Sequence, residues 1–227
     1  MGTVPFFASM RIVSVNVGLP REIEWGDKRV LTSIFKAPVA ARVAVRKHNL
    51  DGDQQSDLTV HGGPDKAVYG YPSEHYAYWR GELPGADLGW GAFGENLTTQ
   101  GLDDAELSIG DIVRAGDSLL MVTQPRIPCY KLAARFGRAD MVKRFAAARR
   151  PGFYFAVVEE GELGAGDAIA VVDRATERMS VRDLSDMFFA KTPDFDVMRR
   201  ALALRGLAEV WRTEIAATLA KADRARA

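Results

Sequence analysis

The chain has 227 residues, 47% of them apolar and 26% charged, which places it in the ordinary globular range with material for one full core and a small appendage. Thirty Lys and Arg balance thirty Asp and Glu, so no long-range field draws the molecule onto a nucleic acid polymer or an anionic membrane. No apolar run approaches the roughly 20 residues that span a bilayer, and Met1 to Ser9 lack the basic start and long apolar stretch of a signal peptide. The single cysteine, Cys129, cannot form an intramolecular disulfide, and with these features it predicts a cytoplasmic protein.

From Met10 the run Arg11 to Val17 clusters β-branched residues and is stopped by Gly18 and Pro20, which predicts a strand. Further strands are predicted over Arg29 to Phe35, Ala40 to Val45, Gly94 to Thr98, Ile112 to Ala115, Leu119 to Gln124, Phe153 to Glu159 and Ala168 to Asp173. Short strands at close spacing, separated by Gly, Pro and Asp, argue for a mainly β barrel or sandwich rather than a doubly wound sheet. Two stretches, Leu107 to Val113 and Leu163 to Ile169, each set a Gly-Asp turn ahead of an apolar strand. Glycine there accepts positive φ, and aspartate can bond the local backbone. Helical texture interrupts the strands at Ser73 to Arg80 and across Leu132 to Arg149, where Met141, Val142, Phe145 and Ala146 mark one face of a surface helix.

After Asp173 three successive helices are predicted, over Ser180 to Phe189, Asp194 to Leu204 and Leu207 to Ala220. Ser180 with Asp183 resembles a capping box, Asp194 is a plausible cap, and Gly206 can end the second helix. Residues 10–173 therefore form the main domain and residues 174–223 a small helical one. The helical unit is too small for independent stability and is expected to dock on the barrel or on a second copy in a homodimer.

Three loop segments carry reactive, anion-binding or flexible residues: Val60 to Tyr69, Phe93 to Thr99 and Gln124 to Leu132. In the last, Pro125 and Pro128 stiffen the approach to Cys129, and Arg126 and Lys131 lie close in sequence. Positive charge and a helix start beyond Leu132 favour thiolate, the form that ligates a soft metal or attacks an electrophile; a packed, inert thiol is the plain alternative. His61 precedes Gly62-Gly63, with Asp65 and Lys66 nearby, yet a turn histidine explains it equally. Glu95 and Asn96 can reach a heterocycle or close their own turn. No His-Glu-x-x-His, paired cysteines, Gly-x-Ser-x-Gly or glycine-rich phosphate loop is present, which disfavours zinc hydrolases, serine hydrolases, and NAD or nucleotide enzymes.

Taken together, His61-Gly-Gly-Pro-Asp-Lys-Ala-Val-Tyr69, Tyr76, Trp79, Phe93-Gly-Glu-Asn-Leu97, Gly101-Leu102, Gly110-Asp111 and Arg126-Ile-Pro-Cys-Tyr-Lys-Leu132 resemble the signature of MOSC domains. The tail is similar to the three-helix extension of YiiM-type bacterial members, so the resemblance runs from Met10 to about Leu219. It implies a MOSC-type β-barrel and binding of the pyranopterin molybdenum cofactor, with Cys129 coordinating molybdenum through sulfur. By the same resemblance Lys66, Asn96, Arg126 and Lys131 become candidates for binding the cofactor, and His61 for lining the substrate side as a catalytic residue. Relatives imply reduction of N-hydroxylated small molecules such as hydroxylaminopurines. Because the chain has no cysteine cluster for iron and sulfur and no dinucleotide fingerprint, the electrons are expected from a separate reductase. The alternatives are a persulfide carrier using the same thiol and a non-enzymatic carrier of the mature cofactor.

Overall fold

Ile12 and Val15 face the core and Arg11 faces water in the first strand, β1 (Arg11–Val17). The computed structural model describes residues 10–56 and 62–226. After β1 come a hairpin of β2 (Arg21–Trp25) and β3 (Lys28–Thr32), short β4 (Ala37–Val39) and β5 (Val43–Val45), β6 (Val68–Pro72), helix α1 (Glu74–Glu82) and β7 (Leu97–Gln100). The chain continues through β8 (Ile112–Ala115), β9 (Ser118–Pro125), helices α2 (Tyr130–Phe136) and α3 (Met141–Ala148), β10 (Phe153–Glu159), β11 (Gly161–Leu163) and β12 (Ile169–Asp173). It ends in helices α4 (Val181–Phe189), α5 (Phe195–Leu202) and α6 (Glu209–Arg226). None of these helices is long and apolar enough to cross a membrane among the described residues.

Eight strands form one sheet in the order β12-β8-β9-β10-β6-β7-β1-β4. The pair β6 and β7 is parallel, and α1 supplies the long crossover that a parallel pair requires. The sheet curls until β1 meets the approach to β12. There Ile12 N donates to Asp167 O at 2.9 Å, Gly166 N to Ile12 O at 2.8 Å and Ile169 N to Met10 O at 2.8 Å. This contact is a bridge rather than a full ladder, so the fold is a barrel-like sheet rolled onto its own first strand. Bulges in the pairings of β1 with β7 and of β9 with β10 supply the bend.

Both Gly-Asp turns take the form the sequence predicts. Gly110 and Gly166 have positive φ, Ser108 N donates to Asp111 Oδ2 at 3.1 Å, and Gly164 N donates to Asp167 Oδ2 at 2.9 Å. Among the elements that differ from expectation, two show why. The helix predicted over Leu132 to Arg149 is two helices, because Gly137 turns left-handed at φ 62° and Asp140 pairs with Arg138 and Arg144 at the start of α3. Val68 to Pro72, partly assigned to a loop, is a strand buried at every position, so it shows no alternation.

Two apolar clusters result. One fills the barrel with residues such as Ile12, Leu120, Val122 and Phe155 and extends without a break to Ala201, Leu207, Trp211 and Ile215 of the C-terminal helices. The other packs α1, α2 and α3 around Tyr71, Tyr76, Phe93 and Met141, with Trp79 stacked on Phe145 at 5.7 Å. The three-helix unit therefore docks on the barrel, each large side chain it buries there contributing about 1.5–3 kcal/mol. Trp211 Nε1 donates to Gln124 Oε1 of β9 at 3.0 Å, and Arg205 Nε donates to Gly110 O at 3.1 Å. At α4 the capping box is complete: Asp183 N donates to Ser180 Oγ and Ser180 N to Asp183 Oδ2.

Candidate functional site

At the end of β9 the chain leaves through Pro125, Arg126, Ile127 and Pro128 and reaches Cys129 in an extended conformation, φ −129° and ψ 175°. Its carbonyl accepts Leu132 N at 2.9 Å, which starts α2. Cys129 is partly exposed rather than packed away, and it lines both of two clefts that share Lys66, Ile127, Cys129 and Tyr154.

The first cleft, about 670 Å³ counting the open solvent at its mouth, is lined among the described residues by Lys36, Lys66, Arg126 and Lys131 and by one carboxylate, Asp53. Arg126 is only 6% exposed, with its guanidinium 5.2 Å from the Tyr69 ring centroid and 5.3 Å from that of Phe145. Its Nη1 has no hydrogen-bond partner, and neither does Ser33 Oγ on the same wall. An unmet buried donor costs about 1–3 kcal/mol and more when charged, so this wall is built to receive an acceptor. Lys36 forms a buried ion pair with Asp53 Oδ1, which also accepts Gly18 N at 2.8 Å, while Asp53 Oδ2 accepts Asn96 Nδ2 at 2.9 Å. Burial pulls the Lys36 ammonium below its usual pKa, and Asp53 and then Glu95 oppose that fall.

Lys66 belongs to the short 3-10 turn Pro64–Lys66, which is tied down from both sides. Thr123 Oγ1 donates to Asp65 O at 2.6 Å, and Gln55 Nε2 donates to Lys66 O at 2.9 Å. The half-buried Lys66 ammonium is lowered by desolvation, with Asp65 and Glu214 acting the other way. The second cleft is larger, about 1270 Å³ with its open mouth. It runs between barrel residues, Gly62 to Lys66 with Gln124, Pro125, Ile127, Pro128 and Cys129, and the helical residues Phe188, Val210, Trp211 and Glu214.

The sequence matches the MOSC domain over residues 57–170 and the YiiM-like, 3-alpha helix domain over residues 179–222. The chain belongs to the MOSC family. It is 38% identical to the uncharacterised protein YflK of Bacillus subtilis, covering 94% of this chain and 95% of YflK. It is 36% identical to YiiM of Escherichia coli, covering 79% of this chain and 81% of YiiM. A protein of Gibberella moniliformis named a reductase is 32% identical over 77% of this chain, which spans only 32% of that longer relative. The crystal structure of YiiM from Geobacillus stearothermophilus superposes with a TM-score of 0.78 and 34% identity, over 92% of this chain and 99% of YiiM.

In this MOSC protein Cys129, Lys66, Arg126, Lys131 and Asn96 all line the first cleft, whereas His61 lies outside the described residues. Asn96 reaches the cleft with its amide already engaged: Tyr69 N donates to its Oδ1 at 3.0 Å, and its Nδ2 donates to Asp53. Glu95 does not line the cleft. It is fully buried and accepts from Tyr76 Oη, Gly91 N, Phe93 N and Thr98 Oγ1, so its motif fastens the loop before β7. Burial raises the Glu95 pKa against the pull of those donors, Tyr76 first. Sequence reasoning missed Lys36, Asp53, Ser33, Tyr69 and Tyr154. Only the Asp51-Gly52-Asp53 turn offered a local hint, because Lys36 meets Asp53 through the tertiary fold.

Proposed function

We propose that this protein is a molybdenum-cofactor-dependent oxidoreductase of the cytoplasm that reduces N-hydroxylated small molecules with electrons from a separate reductase. The observation that carries this reading is the placement of the chain's one cysteine, partly exposed, at a cleft lined among the described residues by four cations and one carboxylate, with an unpartnered, buried Arg126 nitrogen. That donor set suits a phosphorylated, electron-rich pterin: thiolate sulfur for a soft metal, and guanidinium and ammonium groups for anionic oxygen. Family membership and the relative named a reductase support the oxidoreductase class.

In this reading Cys129 holds the metal through Sγ, and Arg126 and Lys131 bind the anionic part of the cofactor. Among the described residues no three His, Cys, Asp or Glu side chains cluster to hold an ion, so the remaining ligands come from the cofactor itself. When bound, the cofactor supplies a metal that changes oxidation state by two electrons, as removal of oxygen from nitrogen requires. The balance is R–NHOH plus two electrons and two protons giving R–NH2 and water. The chain's part is positioning and proton supply: Asn96 and Asp53 fix the cleft wall, and Lys66, which lines both clefts as Cys129 does, would supply the proton.

The test is elemental analysis of protein made in a host that synthesises the cofactor, followed by reduction of an N-hydroxylated base with an artificial donor. Cys129→Ser should lose molybdenum and activity while keeping its unfolding midpoint. Molybdenum content equal to that of the unsubstituted protein rules out the ligand assignment, and a metal-free protein carrying persulfide sulfur favours a sulfur carrier.

A further inference from the structure

On the reading that Cys129 carries the cofactor, we propose that the second cleft, walled by the C-terminal helices, receives the aromatic body of the reducible compound and selects against negative charge in it. The two clefts meet at Cys129 but differ in character. Among the described residues the first is lined by four cations and one carboxylate, while the second is lined by Asp65 and Glu214 and by one cation, Lys66, which belongs to both clefts. An anionic cofactor is drawn to the first, which leaves the second as the other approach to the same sulfur.

The walls of the second cleft fit a flat apolar body. Phe188 of α4 and Val210 of α6 are 44% and 46% exposed, and Phe188 lies 5.4 Å from the Trp211 ring. Across from them stand Pro64, Pro125 and Pro128 of the barrel. A ring entering here covers apolar surface on both sides, and the faces of aromatic side chains favour offset or edge contacts with it. The Trp211 indole is fixed by its bond to Gln124, so the slot is formed before anything enters it. Its acidic rim is partly fixed as well, because Glu209 N donates to Asp65 Oδ2 at 3.0 Å. Glu214 stands on the exposed side of α6 at the same cleft. The helical unit thereby acts as a specificity element, distinct from the barrel loops that hold the cofactor.

A matched pair of compounds tests this. 4-(Aminomethyl)phenylhydroxylamine carries an ammonium and 4-carboxyphenylhydroxylamine a carboxylate, and each is reduced to its aniline and water by two electrons from a dithionite-reduced viologen. The ammonium compound should have the higher kcat/KM, and Glu214→Gln should shrink the ratio about threefold, the scale of one exposed charge interaction. Phe188→Ala should raise KM for both. Glu214 and Phe188 are both exposed, Phe188 at 44%, and the unfolding midpoint of each variant checks that the fold is kept. Calorimetric binding of the product amines, 4-(aminomethyl)aniline and 4-aminobenzoate, to the purified full chain reads the cleft without turnover. Tighter binding of the ammonium compound that Glu214→Gln weakens supports the proposal. Equal binding, or a preference that Glu214→Gln leaves unchanged, overturns it. Absence of molybdenum or of turnover refutes the Cys129 reading alone, because the calorimetry still judges the cleft.

Discussion

Replacing Asp53 by Ala tests whether the floor of the cationic cleft is held as one unit. Both partners of the Lys36–Asp53 pair are buried, with side chains 8% and 3% exposed. Removing the carboxylate leaves an ammonium in the interior, and breaking such a pair costs about 3–5 kcal/mol. The Gly18 and Asn96 donors lose an acceptor too, at about 1 kcal/mol each. Lys36 has an escape, since burial already lowers its pKa and it can shed its proton, so a total of about 4 kcal/mol is the expected loss at neutral pH. The sign of the pH dependence follows. A lysine whose folded pKa lies below its unfolded value binds fewer protons when folded, so stability rises with pH between the depressed value and 10.5. Asp53→Ala deepens that depression, so its deficit should narrow as pH rises from neutral to the parent's folded Lys36 pKa and stay constant from there to 10.5. Urea unfolding across that range reads both effects, and the double variant Lys36→Met/Asp53→Asn, which removes the charges together, should lose less than Asp53→Ala. A loss below about 1 kcal/mol, or a double variant as weak as the single one, refutes the argument.

Arg126→Leu should release molybdenum, as elemental analysis will show, while leaving the unfolding free energy within about 1 kcal/mol of the parent. It removes a buried donor that has no partner, a gain that offsets the lost contacts with the Tyr69 and Phe145 rings. Asp104 is buried, which alone would raise its pKa. The His75 hydrogen bond and the pairing with Arg182 outweigh burial and hold it below its usual 3.8. A depressed carboxylate stabilises the fold above its unfolded pKa, so that contribution falls away as pH drops from 3.8 through the folded value. Asp104→Asn should lower stability at pH 7 and flatten the acid limb of a thermal-unfolding profile; an unchanged limb contradicts this.

Strand signals were legible where one face is wet. β8 and β10 begin and end where the sequence predicts, and the local aspartate bonds of both Gly-Asp turns could be read from chemistry alone. β6 hid because a strand buried at every position has no period to detect, and β2 hid behind its charged residues, although its hairpin partner β3 was read. The helix after Cys129 was read as one because apolar spacing carries across Gly137, whereas the left-handed turn there ends α2. Ser180 and Asp183, by contrast, announce α4 with two residues three positions apart, since a capping box is complete within one turn.

The same difference between local and distant chemistry explains the site. Two prolines, a lone thiol and flanking cations describe the Cys129 loop without reference to the rest of the chain, and that loop does reach the cleft. The Asn96 amide is a different case. A Gly-Glu-Asn motif at a loop end suggests groups offered to a ligand, yet Glu95 and Asn96 bind the backbone of Gly91, Phe93 and Tyr69 and the carboxylate of Asp53. They act on the cleft by fixing its floor. Because Asp53 in turn grips Lys36 and Gly18, the charge balance beside Cys129 depends on residues from four separate stretches of chain. No window of sequence contains that balance, and Asn96→Ala would disturb it without removing a single charge.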